Sequence, residues 1–494
     1  MKQYEKFTSD IIIFVIATAF IALQNAILVP ILTKNLGASL YGVWSQITVT
    51  VMVLSTVASL GLRNSIIRFL AAEKNKNKIS RIFFSVTFFV AISGILFSIV
   101  MFLLSDFLAI TIVKDITSSF FIQFASVLVL ITVLNHLMLG FFETFRQTKN
   151  YSLFIIFQNI LEIGLIFYLV ASGYGLFGAI LASVLIKALV FLIGLVIIIK
   201  QVRFSFPGLN NMKEYLGFGF PLILVSFFTF VIHSGDVYII GYFKNAFNIG
   251  VYSAVYSLSK VVMLFMTPIS FVLFAAVSKA WDNKRFDEVK SYLSYSFKYF
   301  LFFSIPAAFG LSFLAVPILK IFSTNEFLSG WFLFPFIAFG LVIYKLAMIF
   351  ANILTAKKKT ALIGAVYVIA ALFNIGLNII LIPLIGLIGA AIATLVTYFL
   401  VTLVFYLVSL KYLRFNLNIW FVIKSIIASI IMVFAVRLFS VTNIGSLLLV
   451  MVFGAFVYTI LILLFKGISK EEKEFFKKYF KGKLMSFFPY FFEE

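Results

Sequence analysis

The stretch Gly175-Leu-Phe-Gly178-Ala-Ile-Leu-Ala182-Ser183 returns 211 residues later as Gly386-Leu-Ile-Gly389-Ala-Ala-Ile-Ala393-Thr394. A second pair, Gly42-Val-Trp-Ser45 and Gly250-Val-Tyr-Ser253, returns after 208. Small residues four apart let helices approach closely. Packing explains that spacing, but not why it recurs in the same register. The recurrence marks an internal repeat, and both copies lie within long apolar runs.

Outward from the repeat, runs of about 20 apolar residues follow one another along nearly the whole chain, each long enough to cross a bilayer as a helix. Continuous rather than alternating hydrophobicity excludes a β-barrel. The 494 residues are 63% hydrophobic and 12% charged, too little polar surface for a soluble chain of this length. Spans are expected at 9–33, 40–70, 80–104, 119–143, 150–172, 175–199, 214–242, 247–279, 293–319, 327–355, 360–382, 386–410, 418–440 and 444–466. The crowded 160–200 region is where a miscount would fall. The reading is an all-α polytopic membrane protein of about fourteen transmembrane helices. The repeat divides it into two six-helix lobes, 1–200 and 213–410, with an additional helix pair at 418–466 and a basic amphipathic cytoplasmic tail at 467–494. The first apolar run reads as a retained helix rather than a cleaved leader.

Charge fixes an orientation. With the N-terminus inside, 27 basic residues fall in cytoplasmic segments and five in outer ones, and the bias holds loop by loop. Both termini are therefore expected in the cytoplasm, and the net charge of +21 reads as topology and contact with anionic lipid rather than nucleic acid.

Seven basic residues lie within spans. Arg68, Lys298 and Lys424 are near cytoplasmic ends and can snorkel. Arg63 is deeper, and Lys187, Lys260 and Lys345 are close to span centres, where each costs roughly 2.5–3.5 kcal/mol on insertion scales. Polar stripes accompany them. Ser253, Tyr256, Ser257 and Lys260 share a helix face, as do Ser55, Ser59 and Arg63, Lys345 and Asn352, and Thr18 and Asn25. The expectation is a cation-rich, water-filled chamber between the lobes. Of the acids within spans, Glu162, Asp236 and Glu143, together with His136, are candidates for coupling to H+ or Na+. The competing reading is structural pairing, for example Glu162 with Lys187.

No cysteines and only two histidines leave no thiol chemistry and no His- or Cys-ligated metal site. No phosphate loop or hydrolase elbow is recognisable, and no cofactor is expected. Three segments nevertheless resemble a known family. They are Leu28-Val-Pro30 through Gly37 to Tyr41-Gly42-Val-Trp44, Ser234-Gly-Asp236 through Gly241 to Tyr252-Ser253, and Asn374 through Asn378 and Pro383 to Gly389. Together they resemble the polysaccharide-export (Wzx-type) flippases of the multidrug/oligosaccharidyl-lipid/polysaccharide (MOP) superfamily. The resemblance implies alternating-access transfer of an undecaprenyl-diphosphate-linked oligosaccharide across a bacterial cytoplasmic (inner) membrane, for O-antigen or capsule synthesis. A polymerase of the same pathway would be a partner, and the diphosphate would meet Arg63, Lys187, Lys260 and Lys345. Lipid II flippases and multidrug antiporters of the superfamily, or a membrane-embedded pathway enzyme, are the alternatives.

Overall fold

The computed structural model describes residues 2–208, 212–468 and 472; side chains are described from residue 20 onward, apart from 21–23, 25, 267, 271 and 272. The described residues contain helices and no strand. In chain order they are α1 (Lys2–Ala58), α2 (Leu62–Leu70), α3 (Lys76–Leu103), α4 (Ser105–Leu108), α5 (Ser119–Ala125), α6 (Val127–Thr144), α7 (Thr148–Leu169), α8 (Gly175–Val202) and α9 (Met212–Phe243). The series continues with α10 (Ala246–Ser259), α11 (Met266–Asp282), α12 (Phe286–Phe313), α13 (Ala315–Phe322), α14 (Leu333–Ala356), α15 (Thr360–Ile385), α16 (Leu387–Leu410), α17 (Ile419–Val436) and α18 (Ile444–Leu464). In a bilayer the helix satisfies every backbone group within its own segment, which is why so apolar a chain takes this form throughout.

Among the described residues twelve helical runs are long and apolar enough to cross a membrane. One of them, Thr148–Val202, has 55 residues. Straight, it would extend about 80 Å, more than twice the hydrocarbon thickness. It is broken by Gly173 and Gly175, both at positive φ. Helix α1 is likewise broken at Gly37 (φ 71°, ψ 179°). The expected count of fourteen depends on dividing both runs at these glycines, which length and apolarity alone do not do.

The repeat is visible in the backbone. Gly175 has φ 54° and ψ −137°, and its mate Gly386 has φ 66° and ψ −143°. Only glycine reaches this region without a Cβ clash, so both copies begin with the same residue for the same reason. Large apolar side chains, such as Leu103, Leu384, Trp420 and Leu449, stand exposed on the outer surface. Apolar exposure on this scale fits lipid and not water.

Two seams join the first and second halves. At one, α1 crosses α10 so closely that a Cβ on Gly42 would lie 1.9 Å from the carbonyl oxygen of Ala246, and a Cβ on Gly250 would lie 2.0 Å from that of Ala38. One turn on, Ser45 donates to Ser253 at 2.6 Å. Gly42 and Gly250 are repeat mates, and so are Ser45 and Ser253, so this crossing joins equivalent positions of the two copies. At the other seam Gly61 meets the backbone of Gly219, and Ser65 donates to the carbonyl of Tyr215 at 2.7 Å.

Lys298 does not snorkel. It is buried and pairs with Glu472 at 2.6 Å, and Tyr299 donates to the same carboxylate at 3.1 Å. The amphipathic helix expected over 467–494 otherwise lies almost entirely outside the described residues.

Candidate functional site

Between the two seams lies a cavity of about 530 Å³, walled by α1, α2 and α6 to α10. Arg63, Lys187 and Lys260 all line it, as do Ser253, Tyr256, Ser257, His136, Glu162 and Asp236. Ser59, Glu143, Lys345 and Asn352 are not among its lining residues. The Ser59 hydroxyl donates to the Thr56 carbonyl and accepts from the Gly61 N–H, bracing the turn between α1 and α2 just before Arg63. Asn352 donates to the Met348 carbonyl at 2.8 Å. The Asn25 side chain lies outside the described residues, whereas its neighbour Gln24 lines the cavity.

The first-half cations are paired. Lys187 on α8 contacts Glu162 on α7 at 2.7 Å, and Gln24 reaches the other oxygen of that carboxylate at 3.5 Å. The pairing of Glu162 with Lys187, one of the two readings of the sequence, is what the structure contains. Arg63 contacts Glu143 at 2.6 Å. The Arg63 and Glu143 side chains are 36% and 46% exposed, so this pair is the weaker; those of Lys187 and Glu162 are 22% and 6% exposed, and neither could lose its partner cheaply.

Two cations of the second half, unlike Lys298, have no such partner. Among the described residues Lys260 and Lys345 make no ion pair; Lys260 stands 4.9 Å from the Tyr256 ring and Lys345 6.0 Å from that of Tyr344. Aromatic faces attract cations but do not neutralise them. Lys260 stands where α10 passes without interruption into a 3-10 segment, Lys260–Phe265. The carboxylate of Asp236 is turned elsewhere. It is 1% exposed and accepts from the Tyr252 hydroxyl, from Thr394 at 3.4 Å and from the Val237 N–H at 3.0 Å. Beside it, Tyr398 joins Tyr256 at 3.0 Å and His233 at 2.6 Å.

Four buried polar atoms along this cavity lack a partner: Arg63 Nε, Asn135 Oδ1, Asn159 Nδ2 and Ser183 Oγ. Buried polar groups are almost always satisfied, so these four residues make the cavity wall unusually rich in uncommitted polar groups. Asn135 carries no signal in the sequence, and Ser183 and Trp44 appear there only within the repeat motifs; Gln158 and Asn159 are readable on the face of Glu162, and His233 near Asp236.

A family model described as "Polysaccharide biosynthesis protein" matches residues 7–281, more than half of the chain. The chain belongs to this family. A second family model, MatE, matches residues 221–380. The MOP-superfamily resemblance read from the three sequence segments is thus borne out. Among curated proteins, "Probable low-salt glycan biosynthesis flippase Agl15" of Haloferax volcanii is 25% identical over 53% of this chain and 57% of its own length. "Probable flippase AglR" of the same organism is 28% identical over 33% and 34% respectively. The chain therefore spans little more than half of the first relative and a third of the second. Among solved structures, lipid II flippase MurJ in an inward closed conformation superposes with a TM-score of 0.77 at 20% identity, covering 92% of this chain and 98% of that one. An inward-facing multidrug resistance MATE transporter of the MOP superfamily superposes at 0.64 with 16% identity, covering 80% and 94%. These likenesses establish that this member of the polysaccharide biosynthesis family has the MOP-superfamily fold.

Proposed function

We propose that this chain is a flippase for a polyprenyl-diphosphate-linked oligosaccharide, the undecaprenyl-linked repeat unit of a surface polysaccharide being the form the sequence resemblance implies. The observation that carries the reading is a cavity in which Lys260, among the described residues, is a cation without a carboxylate. An anionic headgroup supplies the missing charge. Lys187 and Arg63 already hold carboxylates, and the diphosphate exchanges with Glu162 and Glu143 for a share of them. Asn135, Asn159 and Ser183 add polar groups to the same wall.

The chain works as two six-helix lobes, 1–200 and 213–410, with the pair 418–466 appended. The two seams are the gates: one opens while the other stays closed, so the cavity is exposed to one side at a time. With both termini in the cytoplasm, the Gly61–Gly219 seam is the inner gate of a protein of the cell membrane. Glu143 and Glu162 serve the cations, which leaves Asp236 as the acid available to couple transport to H+ or Na+.

Transport of a fluorescent polyprenyl-diphosphate glycan into proteoliposomes tests this directly. Lys260→Ala is expected to lower the rate by about 10- to 100-fold, the value of a charge-assisted contact. Asp236→Asn is expected to abolish dependence on an imposed ion gradient while leaving gradient-free exchange. Wild-type rates in Lys260→Ala would refute the anionic-substrate reading, and an unchanged gradient response in Asp236→Asn would remove the coupling role.

A further inference from the structure

The cavity changes character along its length. Its cations stand between the middle and the Gly61 end: Arg63 just past the turn between α1 and α2, Lys187 midway along α8, and Lys260 after the last turn of α10. Toward the Ala38 end the wall becomes aromatic and hydroxylic. Tyr41, Trp44, Ser45 and Thr48 line it from the first turns of α1 after its break at Gly37, opposite Ser253.

Trp44 stands apart within this set. It is half-buried and lines the cavity, yet among the described residues nothing accepts from its indole N–H. That nitrogen is not among the buried unpartnered atoms either, so it keeps accessible surface. A tryptophan placed only to fill a core would have its N–H paired or its ring wholly covered. The repeat mate of Trp44 behaves in that way: Tyr252 is 1% exposed and commits its hydroxyl to Asp236. The two copies of the motif therefore diverge, one side chain locking the fold and the other presented to the space.

A pyranose ring suits what is presented. One of its faces is made of C–H groups that pack against an aromatic face, and its rim of hydroxyls must find partners when buried. Ser45 and Thr48 line the same region; their hydroxyls donate to Ser253 and to the Trp44 carbonyl and remain able to accept from the sugar. The order along the cavity, cations and then aromatic and hydroxyl groups, is that of a diphosphate followed by its first sugar. We propose that Trp44 is the stacking platform for the sugar next to the diphosphate and so a specificity-determining residue. This rests on the lipid-linked glycan reading above.

The chain has four tryptophans, so W281F/W331F/W420F leaves Trp44 as the sole indole. Two probes are titrated into the purified protein: farnesyl diphosphate, and farnesyl diphosphate linked to N-acetylglucosamine. The expected result is a change in Trp44 emission with the glycosylated probe and none with the bare one. By calorimetry, Trp44→Ala binds the glycosylated probe about tenfold more weakly, the size of one aromatic contact, and binds farnesyl diphosphate as the wild type does. Trp44→Phe, which keeps a ring, recovers most of the affinity and controls for misfolding. Equal effects of Trp44→Ala on both probes, or an emission change indifferent to the sugar, would overturn the platform and leave the headgroup site standing. Failure of the wild-type chain to bind either probe would overturn both.

Discussion

The two halves of this chain bring the same kind of cation to one cavity and treat it in opposite ways. In the first half Arg63 and Lys187 each hold a carboxylate. In the second, Lys260 has an aromatic ring, and the available carboxylate of Asp236 is held by hydroxyls instead. A basic residue near a span centre is therefore not one thing. A paired cation is mainly part of the scaffold, whereas an unpaired one that lines the cavity is a candidate contact for an anion. The difference also gives the cavity a direction of charge, neutralised on one wall and positive on the other.

The sharpest way to break this comparison is to remove one cation from each wall. Lys187→Ala leaves the Glu162 carboxylate buried and alone, and is expected to cost about 3–5 kcal/mol of stability. The double change Lys187→Ala with Glu162→Ala should recover most of that loss. Lys260→Ala removes a charge that has no partner, so its thermal unfolding midpoint should match or exceed the wild type while transport fails. Thermal unfolding of the detergent-solubilised protein reads all three. If Lys260→Ala proved as unstable as Lys187→Ala, the two walls would not differ as described.

A smaller effect tests whether the halves are equivalent where they cross. Gly42→Ala and Gly250→Ala each put a methyl against a carbonyl of the other copy. Each should cost about 1–3 kcal/mol, by similar amounts, because the positions are repeat mates. Gly376→Ala, where the space is open, should be near neutral. Unequal costs at the two crossing glycines would show that the repeat is not functional at this seam.

The smallest expected effect lies outside the membrane. Lys78 and backbone N–H groups hold the Glu73 carboxyl well below the usual carboxylate range, at about 2. Its contribution is present above the ordinary carboxyl pKa of about 4.5 and lost as pH falls toward 2. The pair is solvated, so Glu73→Gln should leave transport at neutral pH unchanged and alter only acid unfolding. A transport defect in that variant would implicate the loop in the cycle.

Much of the fold was legible because it depends on local periodicity. Apolar run length, the glycines that open each repeat copy and the register of Gly42 with Gly250 are all readable along one strand of text. The walls of the cavity were less so. Lys260 and Lys345 carry the same one-dimensional signature of a lysine mid-span on a polar face, yet only Lys260 lines the cavity. Lys345 belongs to α14, which is not a wall of this cavity, so the placement of the helix in the bundle decides this. Arg63 meets Glu143 across 80 positions of sequence, a partnership no local pattern announces. Lys298 looked like a snorkelling residue because its partner, Glu472, arrives from a segment 174 positions away. Trp44 was quoted as part of a repeat motif, and only the free indole N–H distinguishes it from a packing residue.

The central claim is that Lys260 receives an anionic headgroup. Calorimetric titration of farnesyl diphosphate into the purified wild-type, Lys260→Ala and Lys345→Ala proteins tests it most directly. The account predicts binding weakened about 10- to 100-fold in Lys260→Ala and unchanged in Lys345→Ala. Equal affinity in wild-type and Lys260→Ala proteins would contradict it.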